Sequence, residues 1–190
     1  MSAAGDLMRP ARPRDLAAVR RLIVDAIDES PYYSAGFKEH EKARLDLALL
    51  RMLIEIDPWH VALLHDGGAI SGLALTIPEF GNLWSPWVYV SRAARQKALG
   101  LTMVRTMVRH WDHGRFHKVS CYVRPDNRTA RAVYKRVGFV EVALLSRHIL
   151  GEDVILMERP LTKTVDDYDR GLSLTRGQRL RLRILRLLGR

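Results

Sequence analysis

Two stretches hold residues whose types and spacing suit chemistry. The first, residues 91–100 (SRAARQKALG), lies between an apolar aromatic run, LWSPWVYV, and an apolar-periodic run, LTMVRTMVRHW. That order reads as strand, short basic loop and helix. The start of a helix offers backbone N–H groups with no partner, and its dipole adds positive potential, so such a loop suits a phosphate. Arg95 and Lys97 add charge, but the loop holds a single glycine, Gly100. Taken alone, it reads as a basic surface turn.

The second stretch is NRTARAVYKRVGF, residues 127–139. On a helix, Asn127, Arg131 and Tyr134 fall at i, i+4 and i+7, on one face. Ala130, Val133 and Val137 form a separate apolar stripe that accounts for packing, which leaves the polar stripe free to face a ligand. Gly138 suits a left-handed cap, and Phe139 opens the next strand.

Together these stretches resemble the GNAT superfamily of acyl-CoA-dependent N-acyltransferases. The family's cofactor motif runs Gln or Arg, two residues, Gly, one residue, then Gly or Ala. Here it reads Arg95-Gln96-Lys97-Ala98-Leu99-Gly100, with Val90 before it. The family's later motif is matched at Asn127, Ala130, Tyr134 and Gly138-Phe139, and Asn127 follows Arg95 by 32 residues. The resemblance covers residues 6–160. One departure is Ala98, where the family prefers Gly. Its Cβ narrows the allowed backbone, but φ is negative in the first turn of a helix, so the cradle is expected to survive.

The resemblance implies a mixed central sheet of about seven strands with four flanking helices, and acetyl-CoA as acyl donor. The N–H groups of Gln96, Lys97, Ala98, Leu99, Gly100 and Leu101 would hold the pyrophosphate, with charge from Arg95. The backbones of Val88 and Val90 would pair with the pantetheine arm as an added strand would. The Val88 N–H would meet the developing oxyanion, and Asn127 would touch the arm. Tyr134 would protonate the departing thiolate, being a neutral donor whose ordinary pKa of ~10 exceeds that of a thiol. Glu79, after strand 69–77, is the candidate base; Glu141 and His148 are weaker ones. The acceptor would be a small-molecule amine or a protein amine. The competing reading is a non-catalytic acyl-CoA-binding module whose basic tail is its output.

The elements that must position these residues follow from periodicity. Residues 13–30 place Leu16, Val19, Leu22, Ile23 and Ala26 at helical spacing, and residues 37–56 read as a second helix with Leu45, Leu49, Met52 and Ile56 on one side. Two apolar runs joined by Asp66-Gly67-Gly68 read as a hairpin. A strand at 83–90, a helix after the basic loop, a strand at 117–123, the helix 127–137 and a closing antiparallel pair complete the order β-α-α-β-β-β-α-β-α-β-β. That order predicts a mixed α/β sheet, part parallel and part antiparallel.

The bulk composition bounds the rest. The chain has 190 residues, of which 47% are hydrophobic, enough for one domain with a core. One cysteine, Cys121, precludes an internal disulfide and suits a reducing compartment; it reads as a small core residue. No run is long and apolar enough to span a bilayer, so a cytoplasmic protein is expected. His110, His113 and His117 are set aside as metal ligands because Gly114 separates them. Trp84, Trp87, Tyr32 and Tyr33 are candidates to line the acceptor site.

Net charge is +10, but residues 171–190 hold six Arg and no acid, so the body carries only +4. A mildly basic body leans toward acidic or neutral acceptors. The expected organisation is a catalytic domain at 1–161, a linker at 162–170 and an amphipathic helix at 171–190. A helix packed on the body or on a second subunit, as in a homodimer, ranks first for that tail. An anionic membrane surface ranks second. Nucleic acid ranks last, since it does not require so wide an apolar face.

Overall fold

The structure, a computed structural model, describes residues 7–97, 99–164 and 176–188. Strand β1 (Met8–Pro10) leads into α1 (Leu16–Glu29), whose buried residues Leu16, Val19, Ile23, Ala26 and Ile27 follow the helical period. Next come α2 (Ala35–Arg44), α3 (Leu47–Ile56) and the strands β2 (Val61–Asp66), β3 (Ala69–Glu79) and β4 (Asn82–Val90). A 3-10 turn at Arg92–Lys97 precedes α4 (Leu99–Trp111). Then follow β5 (Lys118–Val123), α5 (Arg128–Arg136), β6 (Val140–Ile149), β7 (Glu152–Pro160) and α6 (Arg176–Leu187).

The seven strands form one sheet in the order β1-β2-β3-β4-β5-β7-β6. Every neighbouring pair is antiparallel except β4–β5, which is parallel and is joined by the crossover helix α4. Each face of the sheet has its own apolar layer. On one face, Met103, Val104, Met107, Val108 and Trp111 of α4 pack with Leu83, Val119, Cys121 and Tyr134. On the other, α1 and α3 close over Val61, Leu63, Leu73 and Leu75. Each such buried side chain contributes about 1.5–3 kcal/mol relative to exposure.

The helix expected over 37–56 is two helices. Leu45 leaves the helical region (φ −90°, ψ 50°), and Asp46 caps α3 by accepting the Leu49 N–H at 2.8 Å. An Asp side chain that satisfies a free helix donor favours a fresh start over continuation. The break also takes Ile56 off the buried face; it is 37% exposed. Five helices therefore flank the sheet instead of four. Strand β3 also runs past residue 77 to Glu79, and only Phe80 (φ 47°) and Gly81 (φ 81°) separate it from β4.

The C-terminal helix lies against α3. Arg181 grips Glu55 with two hydrogen bonds, at 2.6 and 2.9 Å, while Leu180, Ile184, Leu187 and Leu188 stay exposed. Most of the linker expected at 162–170, and both ends of the segment 171–190, lie outside the described residues. No described helix is long and apolar enough to cross a membrane.

Candidate active site

The central feature is a fork between β4 and β5. The two strands pair only at Asn82–Lys118, Leu83–Val119 and Trp84–Ser120. Beyond that point Cys121, Tyr122 and Val123 pair with β7 alone. The cause lies in β4. Leu75 of β3 pairs with Trp87 and Ile77 with Trp84, so Ser85 and Pro86 both stand opposite Thr76. This is a β-bulge, and Pro86 has no N–H to give a ladder; both features bend a strand away from its neighbour.

The free edge of β4 can be read from its alternation. Ser91 N–H donates to the Ser71 carbonyl at 2.8 Å, on the β3 side. The backbones of Val90 and Val88 therefore turn to the other side, into the fork. The Val90 carbonyl accepts a hydrogen bond from Arg95 Nε at 2.9 Å. The same guanidinium reaches Glu29 at 2.8 Å and lies over the Tyr89 ring, so Arg95 ties the loop to β4 and α1. The first turn of α4 begins at Leu99. A Cβ on Gly100 would meet only the Val90 side chain, at 3.9 Å, so the helix start abuts the open end of the fork. Leu99 is buried and Leu101 packs on the core. Gln96 and Lys97 end the 3-10 turn, and Ala98 lies outside the described residues. A strand edge that ends at a helix N-terminus fits a ligand with amides along its length and phosphate at its end.

Tyr134 stands at the closed end of the fork. It is 8% exposed, and its ring packs edge-on against Phe139 at 4.9 Å. Its hydroxyl lies near the side chains of Cys121 and Ser85, one from each strand of the fork. Burial holds the Tyr134 phenol well above its ordinary pKa, with the Cys121 thiol adding to the effect, and burial pushes that thiol up to about 12. Both groups keep their protons at neutral pH.

The expected polar stripe is not one face. Tyr134 belongs to the apolar side of α5, with Ala130, Val133 and Val137. Arg131 turns away to Glu141 at 2.8 Å and to the Pro125 carbonyl. Asn127 is the N-cap, its side-chain oxygen accepting the Ala130 N–H at 3.0 Å. A capping residue sits outside the helical turn, so spacing counted from it overstates the alignment. Glu141 is also a poor base. Hydrogen bonds from Arg131 and then Lys135 hold its pKa near about 2, and it lines no part of the cavity described next.

On the opposite face of the sheet the fork opens into a cavity of about 670 Å³. Tyr33, Trp84 and Trp87 line it; Tyr32 does not. Its walls also include Glu41, Ser120, Tyr122 and Glu158, which sequence reasoning missed. Buried Glu41 takes two hydrogen bonds from Arg44 and one, at 2.9 Å, from Trp87 Nε1. Glu158 pairs with Lys118 at 2.6 Å. Ser120 donates to Asn82 at 2.9 Å. These two ion pairs cancel. Glu79, exposed at the rim, has no ion-pair partner among the described residues. The cavity thus carries one surplus carboxylate inside a strongly basic chain. His148 lies beside this cavity, with Nε2 at 2.9 Å from the Tyr122 hydroxyl.

The sheet, the fork and the helix start define an acyltransferase fold, and the acetyltransferase (GNAT) family pattern matches residues 23–139. The chain belongs to that family. Among solved structures it is similar to a ribosomal-protein-alanine N-acetyltransferase from Brucella melitensis, with 20% identity, TM-score 0.67 and 82% of this chain and 99% of that one covered. It is similar to a phosphinothricin acetyltransferase from Sinorhizobium meliloti in complex with AcCoA, with 18% identity, TM-score 0.67 and 85% and 94% covered. A putative acetyltransferase from Salmonella typhimurium, solved with its cofactor acetyl-CoA, shares 16% identity at TM-score 0.64, with 84% and 96% covered. At these identities the likeness is one of fold. No curated protein matches the chain.

Proposed function

We propose that the chain moves an acetyl group from acetyl-CoA to a primary amine by direct attack, with Tyr134 as general acid. The observation that carries this reading is the convergence of the Tyr134, Ser85 and Cys121 side chains where β4 and β5 part. Acetyl-CoA, when bound, supplies a thioester whose carbonyl carbon an amine can attack. The backbones of Val88 and Val90 would hold its arm, with Asn127 beside it, and the N–H groups of residues 96–101 would hold its phosphates. The Val88 N–H is turned to donate to a developing oxyanion. The buried Tyr134 phenol keeps its proton until the departing thiolate forms beside it, and a positioned acid of this kind is worth ~10²–10⁴ in rate.

Glu79 stands three strand residues from Ser85, counted from its hairpin partner Asn82, or roughly 10 Å. That separation supports Glu79 as the charge that draws an ammonium into the cavity. Relatives on this fold include enzymes named for a ribosomal-protein alanine and for phosphinothricin, so protein and small-molecule amines both remain in scope.

The test is free-thiol release from acetyl-CoA with a panel of alkylamines, aralkylamines and an alanine-initiated peptide. Tyr134→Phe should lower turnover ~10²-fold or more while CoA affinity, read by thermal shift, stays the same. Unchanged turnover would remove Tyr134 from the mechanism. CoA binding without transfer across the panel would establish the binding-module reading instead.

A further inference from the structure

We propose that Tyr122 and His148 carry the ammonium proton out of the acceptor cavity, Tyr122 as the group that meets the amine and His148 as its outlet. The inference rests on the acetyltransferase reading above. Tyr122 follows Cys121 on β5, so the two side chains emerge on opposite faces of the sheet. Cys121 meets Tyr134 on the α5 side, and Tyr122 lines the acceptor cavity. A proton can therefore be given on one face and taken on the other, at adjacent positions along β5. Glu79 is farther from the fork, at the hairpin tip.

The Tyr122 ring rests edge-on against Trp84 at 4.3 Å, which fixes its hydroxyl at 2.9 Å from His148 Nε2. A regular strand does not deliver His148 to that place. The β6–β7 register breaks between Leu145 and Ile149, and Arg147 adopts φ 52°, a conformation uncommon for any residue but Gly. The Asp153 carboxylate holds this kink by accepting the Arg147 N–H at 2.8 Å. Bulges beside active sites re-aim side chains, and this one aims an exposed imidazole at a cavity-lining phenol. Nothing in the packing of the core requires the contact, since His148 is solvent-exposed.

The step balances without a further reactant. An N–H bond of the ammonium breaks and its proton passes to the Tyr122 oxygen. The Tyr122 O–H proton passes in the same movement to His148 Nε2. The amine becomes neutral with a free electron pair, Tyr122 is again a phenol, and the imidazole becomes imidazolium; its exposed ring then gives the Nε2 proton to solvent water, which leaves the remaining proton on Nδ1 and restores the accepting Nε2.

Two measurements test this. In the first, His148→Ala and Tyr122→Phe are assayed with whichever amine of the panel the unsubstituted chain acetylates. Each should lower kcat about tenfold or more, with KM for the amine changed less than about twofold. Added imidazole should restore turnover to His148→Ala but not to the double variant, because a small base can fill the exposed site yet still needs the phenol. In the second, nitrogen NMR of the unsubstituted chain without ligand should show the His148 proton on Nδ1, with Nε2 accepting a hydrogen bond that Tyr122→Phe removes. Full kcat in both single variants, no rescue by imidazole, or a proton resident on Nε2 overturns the relay while leaving the acetyltransferase reading intact. No transfer by the unsubstituted chain overturns that reading and the relay with it.

Discussion

Tyr134 shows how little of a candidate catalytic residue's setting its own neighbours in sequence determine. The spacing Asn127–Ala130–Tyr134–Gly138 marks the residue, and Gly138 takes the left-handed backbone expected of it, with φ 90°. The groups that surround the hydroxyl come from Ser85 and Cys121, on two other strands, and only the folded sheet brings them together. Ser85 is buried, its one hydroxyl proton within reach of the Leu75 carbonyl or of Met107 Sδ, so it braces the bulge as well as flanking Tyr134. Ser85→Ala should therefore cost about 1 kcal/mol of stability, read as a lower melting temperature. It should also lower turnover less than Tyr134→Phe does. A Ser85→Ala chain as slow as Tyr134→Phe would give Ser85 as large a part in turnover as the phenol. The same logic explains the misreading of Glu141. Its charge suits a base, but its nearest neighbours in space are two cations.

At the scale of elements, the basic loop, the two crossover units and the order of strands were legible because each depends on local periodicity and turn residues. The fork is implied by the family resemblance, in which the strand before the cradle splays from the next parallel strand, and not by periodicity, although its cause is written in the chain. Pro86 sits in the middle of a run that otherwise reads as a plain strand, and a proline there marks a bulge or an edge. The helix break at Leu45–Asp46 was hidden for the opposite reason: apolar periodicity continues through it, and only the Asp46 cap interrupts the backbone. Strand β4 is held in its bent course from the β3 side by a close approach at Gly72. A Cβ there would stand 2.5 Å from the Tyr89 carbonyl oxygen and 3.3 Å from Val90 Cα. Because the obstacle is backbone, β4 itself must move. Gly72→Ala should destabilise the fold by about 1–3 kcal/mol. It should also shift the Val88–Val90 edge and weaken CoA binding, both measured by thermal melting with and without CoA. A melting temperature unchanged in both conditions would show that β4 has more freedom than the contact implies.

At the scale of the molecule, charge is sorted in a way that net charge conceals. The cavity beside the fork carries a surplus carboxylate, the loop at the other end of the fork is basic, and the C-terminal segment holds six Arg with no acid. Packing of α6 on α3 agrees with the first expectation for the tail, yet it leaves the apolar side chains at 180, 184, 187 and 188 in water, Leu187 at 87%. Arg181 is spent on Glu55, and the docked helix leaves Leu180, Ile184, Leu187 and Leu188 exposed. An exposed apolar row on an arginine-rich helix suits an anionic bilayer, where each basic residue near the surface adds about 1 kcal/mol. The chain should therefore sediment with phosphatidylserine-containing vesicles and not with neutral ones, and 0.5 M salt, with a Debye length of only about 4 Å, should weaken the binding. Ile184→Asp with Leu188→Asp should abolish it while leaving acetyl transfer intact, since neither residue touches the fork or the cavity. Binding that survives those two substitutions would mean that arginine charge alone is responsible. Concentration-dependent dimers dispersed by the same substitutions, with no vesicle binding, would hand that face to a second copy of the chain.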